Sequence, residues 1–238
     1  MANNAKHPQI NLLLTRPKTG AEEFWSALEP SIQNLATPIF SPLLKIISLR
    51  PELIDLGSVI FSSVNGVAHS PKGDNKIAYC VGAMTTKAAK KSGWKAVQLG
   101  DTADELVKTM QSMDFSTPLT HLCGVHTRGQ IAQRLTSAKR PTARIAVYDQ
   151  KQILLNALAI EAQHSNFPLL VPLFSPRTAR NFAKQHKGTA PLYLIALSQD
   201  VAAEVKGLSP LYLAVSNSPT RMAMIDVVQN VAREVALG

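Results

Sequence analysis

The sequence contains a weak internal repeat, and that feature restricts the possible folds more than any other. Val59-Ile60-Phe61-Ser62-Ser63 is an apolar run that ends in Phe-Ser and leads into a helical pattern. Pro172-Leu173-Phe174-Ser175-Pro176 does the same 113 residues later. At an offset of 114, Cys80 to Thr86 parallels Leu194 to Asp200, Ala88-Ala89 matches Ala202-Ala203, and Gly93 matches Gly207. Any one match is weak, but three in order at nearly constant spacing point to a repeated supersecondary block.

Within each copy, apolar runs of strand length alternate with helical patterns, which predicts βα units around a parallel sheet. The expected strands are Ile10–Leu14, Val59–Phe61, Lys76–Val81, Ala96–Leu99, Thr120–Cys123, Leu169–Phe174, Leu192–Ala196 and Leu211–Val215. Helices are expected over Gly20–Leu28, Asn65–Ser70, Thr85–Lys91, Ala103–Gln111, Gly129–Leu135, Pro176–Gln185, Asp200–Val205 and Pro219–Ala236. Phe40–Leu49 and Arg144–Gln150 read as extended segments outside this rhythm.

The first copy continues into Thr120–Cys123 and a further helix, whereas the second runs out of chain. Its missing strand and helix can come from Leu12 to Leu28 at the N-terminus. The expected fold is therefore α/β, with two similar parallel-sheet, flavodoxin-like βα domains joined by a two-stranded linker, the second inserted into the first. Domain 1 comprises residues 1–38 plus 152–238, domain 2 residues 46–143, and 39–45 with 144–151 are linkers. Two such domains on a double hinge are expected to enclose a cleft, a usual place for a small-molecule site.

Composition narrows the function. The net charge is +9, which suits an acidic partner. Lysines and arginines nonetheless occur in ones and twos, such as Lys90-Lys91 and Lys139-Arg140, and aromatic residues are only 5% of the chain. Stacking platforms for single-stranded nucleic acid need aromatics interleaved with base charges, so nucleic acid is not the expected partner. Cys80 and Cys123 match no metal spacing, and the six histidines are scattered, so no metal is expected. Met1 to Pro8 is polar, and the apolar run Ile10–Leu14 is too short for a signal core or a membrane span. The expectation is a soluble cytoplasmic monomer with no membrane partner.

In parallel α/β sheets, ligands collect at the carboxyl ends of strands. The residues expected there are Thr15, Arg16, Ser62, Ser63, Asn65, Gly66, Thr85, Thr86, Gly124, Thr127, Arg128, Ser175 and Ser198. Most are small or hydroxylic, a set suited to holding carboxylates or phosphates through amides and hydroxyls. Serines and threonines are also favoured as plain helix N-caps, so that simpler role stays open for each. Dinucleotide and phosphate loops and hydrolase motifs are absent, and acid–base residues are few. Tyr148, in Ile-Ala-Val-Tyr-Asp at the second domain crossing, is the candidate catalytic group, because a phenol can donate to a departing hydroxyl. It could equally pack with its hydroxyl satisfied.

In order and spacing, several motifs resemble uroporphyrinogen-III synthases. They are Leu-Leu-Leu-Thr-Arg-Pro (12–17), Ile-Phe-Ser-Ser-Val-Asn-Gly-Val (60–67), Val-Gly-Ala-Met-Thr-Thr (81–86), Leu-Cys-Gly-Val-His-Thr-Arg (122–128), Val-Tyr (147–148) and Leu-Phe-Ser-Pro (173–176). One departure is Ala196, where the family often has glycine. The resemblance implies a cofactor-free lyase that cyclises hydroxymethylbilane, a linear tetrapyrrole with eight carboxylates, to uroporphyrinogen III. Water is lost and ring D is inverted through a spiro intermediate. It further implies that Tyr148 assists departure of the hydroxyl, that the residues named above bind substrate, and that Arg16 and Arg128 partner its charges. The rival readings are a two-domain protein that clamps an anionic ligand without chemistry and, on charge alone, a nucleic-acid-associated protein.

Overall fold

Every residue is described by a computed structural model except 1–9, Asp55, Ser116, Arg128 and Gly238. The chain divides into two compact units, Met1–Lys45 with Gln152–Gly238, and Ile46–Lys151. The first opens with β1 (Ile10–Leu14), α1 (Lys18–Ser26), α2 (Pro30–Leu35) and β2 (Ala36–Phe40), and β3 (Leu44–Ser48) leads out of it. The second holds β4 (Ser58–Phe61), α3 (Val64–Ala68), β5 (Ile77–Cys80), α4 (Ala83–Lys91), β6 (Lys95–Gln98), α5 (Ala103–Gln111), β7 (Leu119–Gly124) and α6 (Ile131–Ser137). The long strand β8 (Thr142–Gln152) leads back. The first unit is then completed by α7 (Ala157–Gln163), β9 (Leu169–Leu173), α8 (Pro176–Gln185), β10 (Leu192–Ala196), α9 (Gln199–Ala203), β11 (Tyr212–Val215) and α10 (Arg221–Leu237).

The eight strands expected from apolar runs are all present, with ends that move by no more than one residue. Not anticipated as separate elements were α2, β2 and α7. The two helices span six and seven residues, and neither follows an expected strand, the cue that marked the equally short α3, α6 and α9. Pro38 argues against a central strand in β2, and indeed β2 is an edge strand. Residues 39–45, read as linker, hold the end of β2 and the start of β3, and residues 144–151 lie inside β8.

The two sheets share one architecture in two chain orders. In the first unit the strands run β2-β1-β9-β10-β11, all parallel, which counted along that unit is the flavodoxin-like order 2-1-3-4-5. In the second they run β8-β7-β4-β5-β6, again parallel. The positions correspond as β1 to β7, β2 to β8, β9 to β4, β10 to β5 and β11 to β6, so the second sheet is a circular permutation of the first. Strand β3 lies beside β8. Leu49 N donates to Val147 O, and Ile153 N donates to Leu43 O, so those two strands run antiparallel.

Both faces of each sheet are covered, which is why the strands read as nearly unbroken apolar runs. Along β9, Leu169, Val171 and Leu173 enter one core cluster and Leu170 the opposite one. On β4, Val59 and Phe61 face one cluster and Ile60 the other. Among the described residues, no helix is long and apolar enough to cross a membrane.

Because the second unit is continuous in sequence and carries its own two core clusters, a fragment of residues 46–151 is expected to unfold cooperatively by itself. Thermal denaturation followed by circular dichroism checks this, and a broad non-cooperative melt would count against it.

Candidate functional site

Strand order in the second sheet reverses between β4 and β7, and ligands favour the carboxyl edge at such a point. A pocket of about 420 Å³ lies there, with Ser62, Ser63, Thr102, His126, Thr127 and Tyr148 in its lining. Its acidic residues are already engaged. Asp101 accepts from Gln98 Nε2 at 2.6 Å, and Asp104 pairs with Arg134 at 2.5 Å.

Tyr148 is placed by a break in register. Leu122 pairs with Ile145 and Cys123 with Ala146, but Gly124 pairs with Tyr148, so Val147 is an extra residue. The bulge carries Val147 and Tyr148 into the same apolar cluster instead of to opposite faces. The Tyr148 ring lies directly on Gly124, where a Cβ would fall 2.7 Å from Tyr148 Cζ and 3.0 Å from its hydroxyl. Only glycine leaves room for the ring. The Val125 amide donates to Tyr148 O at 3.0 Å. His69 lies alongside the ring at a centroid separation of 5.7 Å. The Tyr148 hydroxyl is 3.3 Å from Ser63 Oγ, which also caps α3 by accepting from Gly66 N at 3.1 Å. Although buried, Tyr148 thus presents its polar end at the pocket.

Ser62 is fixed from behind. Its Oγ is 2.9 Å from Nε2 of His121, a fully buried residue on β7. Burial first, then the charge of the Arg144 guanidinium, pushes the His121 pKa down to about 4. Arg144 donates to Gly124 O at 2.9 Å and Val125 O at 2.7 Å, clamping the strand end that accommodates Tyr148. Sequence reasoning missed His121, Arg144 and His69. A histidine inside the expected strand Thr120–Cys123 was the available signal, since polar residues at core positions need a partner.

The other candidates are distributed as follows. Gly66 is buried where a Cβ would meet Leu122 O at 2.8 Å, so it allows α3 to approach β7 closely. Asn65 is half-buried on α3. Thr85 and Thr86 are buried in α4, and Thr86 Oγ1 donates to Gly82 O at 2.9 Å, so that hydroxyl serves the helix. Arg128 lies outside the described residues.

Thr15, Arg16, Ser175 and Ser198 follow β1, β9 and β10 in the first unit. Thr15 is buried, and its hydroxyl has no hydrogen-bond partner among the described residues. The Arg16 guanidinium stacks over the Phe174 ring at 4.3 Å. Burial, and then the nearby Arg221 charge, lower its pKa, while Glu23 opposes them. Ser175 caps α8 by accepting from Thr178 N at 3.2 Å. Ser198 holds the N-cap position of α9 without a side-chain cap bond. Among the described residues, no group of three or more His, Cys, Asp and Glu side chains is placed to hold a metal ion.

An imidazole whose pKa is lower in the folded state than in the unfolded chain stabilises the fold fully above about pH 6.5. That contribution is lost as the pH falls toward 4. For His121 the loss is on the order of 3 kcal/mol. Melting temperatures recorded from pH 7 to 4 are expected to fall more steeply for the wild type than for His121→Phe, and parallel curves would refute this.

The family model for uroporphyrinogen-III synthase HemD matches residues 29–226. No curated protein matches the chain in sequence. Among solved structures, uroporphyrinogen-III synthetase from Helicobacter pylori superposes with a TM-score of 0.68 at 14% identity, covering 94% of this chain and 99% of that one. A selenomethionine-labelled mutant uroporphyrinogen III synthase from the extremely thermophilic bacterium Thermus thermophilus gives 0.52 at 12% identity, with the same coverage of both chains. At these identities the structural likeness concerns the fold, while the family match spans most of the sequence. On that match, the chain belongs to the uroporphyrinogen-III synthase family.

Proposed function

We propose that this chain cyclises hydroxymethylbilane to uroporphyrinogen III through a spiro intermediate, with Tyr148 at the departing hydroxyl. The family match over residues 29–226 carries the reaction, and the geometry around Tyr148 supports that residue's part in it. The pyrrole nitrogens supply the electrons that expel the hydroxyl, so the protein needs little acid–base machinery. Its main work is to hold a flexible chain in the geometry where spiro closure outruns simple closure. The Tyr148 phenol gives its proton to the hydroxyl as the C–O bond breaks and water departs, and the phenolate recovers a proton that the substrate releases when the ring closes. Placement at the pocket next to Ser63 supports this role.

In this reading the substrate carboxylates are gripped at the carboxyl edges of both sheets. Ser62, Ser63 and Thr127 act in the second unit, and Thr15, Arg16, Ser175 and Ser198 in the first. The remaining residues of the proposed set are Asn65, Gly66, Thr85, Thr86, Gly124 and Arg128. Gly66 and Gly124 contribute by letting backbone and ring approach. Arg16 is a charge partner, held by Phe174 at a fixed position on the first sheet's edge. The reading also places the chain in the cytoplasm as a monomer. Cys80 and Cys123, both buried free thiols, suit a reducing compartment.

The test is an isomer assay. Hydroxymethylbilane is generated in situ, the purified protein is added, and the oxidised uroporphyrins are separated by chromatography. A shift from isomer I to isomer III is expected. Isomer I alone from a folded protein would bring forward the reading in which the chain binds an anionic ligand without chemistry. Tyr148→Phe is expected to slow turnover by roughly a hundredfold or more, while stability changes by no more than about 1 kcal/mol. Unchanged kinetics in that variant would remove Tyr148 from the mechanism.

A further inference from the structure

His121 is an expensive residue for its position. It is fully buried on β7, opposite Ile60 of β4. Among the described residues, its Nδ1 has no hydrogen-bond partner. Leaving a buried polar atom unpaired is destabilising, and an apolar side chain there would avoid that cost. The ring's hydrogen bond runs instead through Nε2, 2.9 Å from Ser62 Oγ. Ser62 directly lines the pocket at the β4–β7 switch point.

The direction of this hydrogen bond decides what Ser62 can do. Burial, with Arg144 second, keeps the ring neutral at physiological pH, so it carries one N–H. A proton on Nδ1 would leave a donor stranded in the core, and orphaned buried donors are rarer than under-satisfied acceptors. The proton therefore belongs on Nε2, which donates to Ser62 Oγ. A hydroxyl that accepts on one side keeps its own O–H free.

We propose that His121, as the Nε2–H tautomer, is a positioning residue that fixes the Ser62 hydroxyl as a hydrogen-bond donor to a substrate carboxylate in the second unit's pocket. This rests on the reading that the pocket holds part of the linear tetrapyrrole. Without the His121 donor, no side chain among the described residues fixes the rotation of the Ser62 hydroxyl from the inner side, and its O–H is no longer held toward the anion. His121 touches neither substrate nor reacting atoms and acts through Ser62.

The test is steady-state kinetics with hydroxymethylbilane generated in situ, for Ser62→Ala, His121→Phe, His121→Gln and the double variant Ser62→Ala/His121→Phe. His121→Phe is expected to raise KM about five- to tenfold with kcat near the wild-type value. Ser62→Ala should match it, and the double variant should be no worse than Ser62→Ala alone. His121→Gln, which restores an amide donor near the Nε2 position, should bring KM back toward wild type. Additive effects in the double variant, or a raised KM in Ser62→Ala with none in His121→Phe, would overturn the role of His121 and leave the pocket assignment standing. An unchanged KM in Ser62→Ala would instead remove the substrate from this pocket and the proposal with it. If His121→Phe fails to fold, the ring nitrogen NMR shifts of the wild-type protein decide. A protonated Nε2 is expected, and a protonated Nδ1 refutes the proposal.

Discussion

The first unit depends on the pairing of β1 with β9, elements brought together from opposite sides of a long insertion. Asn11 lies opposite Leu169 and Leu12 opposite Leu170, the Asn11 amide donates to Pro168 O at 2.8 Å, and Asn11 Nδ2 donates to Ser165 Oγ at 3.0 Å. Without this ladder, β1, β2 and α1 would have no sheet to join, and Leu12 and Leu14 would lose Leu170 and Ile195 from their shared cluster. The insertion between them is tolerable for two reasons. The entropic cost of closing a loop grows only with the logarithm of its length. The chain also leaves the first unit through β3 and returns through β8, which lie side by side, so the points of exit and return are close together.

The same insertion explains why the two sheets match in architecture and differ in chain order. In the second unit, β7 and β8 come last, while their counterparts β1 and β2 come first in the first unit. In both sheets the order reverses next to the strand that ends in Phe-Ser, leaving Ser62-Ser63 in one unit and Ser175 in the other at the carboxyl edge. There the halves diverge. Ser175 spends its hydroxyl capping α8, whereas Ser63 caps α3 and also reaches Tyr148. The buried histidine behind Ser62 belongs to the second unit. At the corresponding edge of the first, Thr15 keeps a hydroxyl without a partner among the described residues, and Arg16 lies on Phe174.

Much of this was legible in the amino acids. Parallel strands buried on both faces must be apolar along their whole length, so β1, β4, β9 and β10 stood out as short apolar runs. The short helices α2 and α7 follow no expected strand, so the alternation that marked the equally short α3, α6 and α9 did not point to them, and Pro38 disguised an edge strand. At the site, the hydroxyls after β4 and β9 were visible because strand ends recur in a repeated pattern. That the side chains of Thr85 and Thr86 are buried in α4 was not legible, since a helix start shows its residue types in sequence and not the direction each one faces.

The sequence by itself determined the α/β class, the duplication and the identity of the strands, because these follow from local periodicity and from the burial that a parallel sheet demands. Tertiary structure alone decided what each polar group is for. The bulge at Val147 aims Tyr148 at Ser63, a missing Cβ at Gly124 admits its ring, and the pairing of Ile60 with His121 sets an imidazole behind Ser62. Each of these depends on distances across strands far apart in the chain, and residue spacing along a sequence carries no record of such distances.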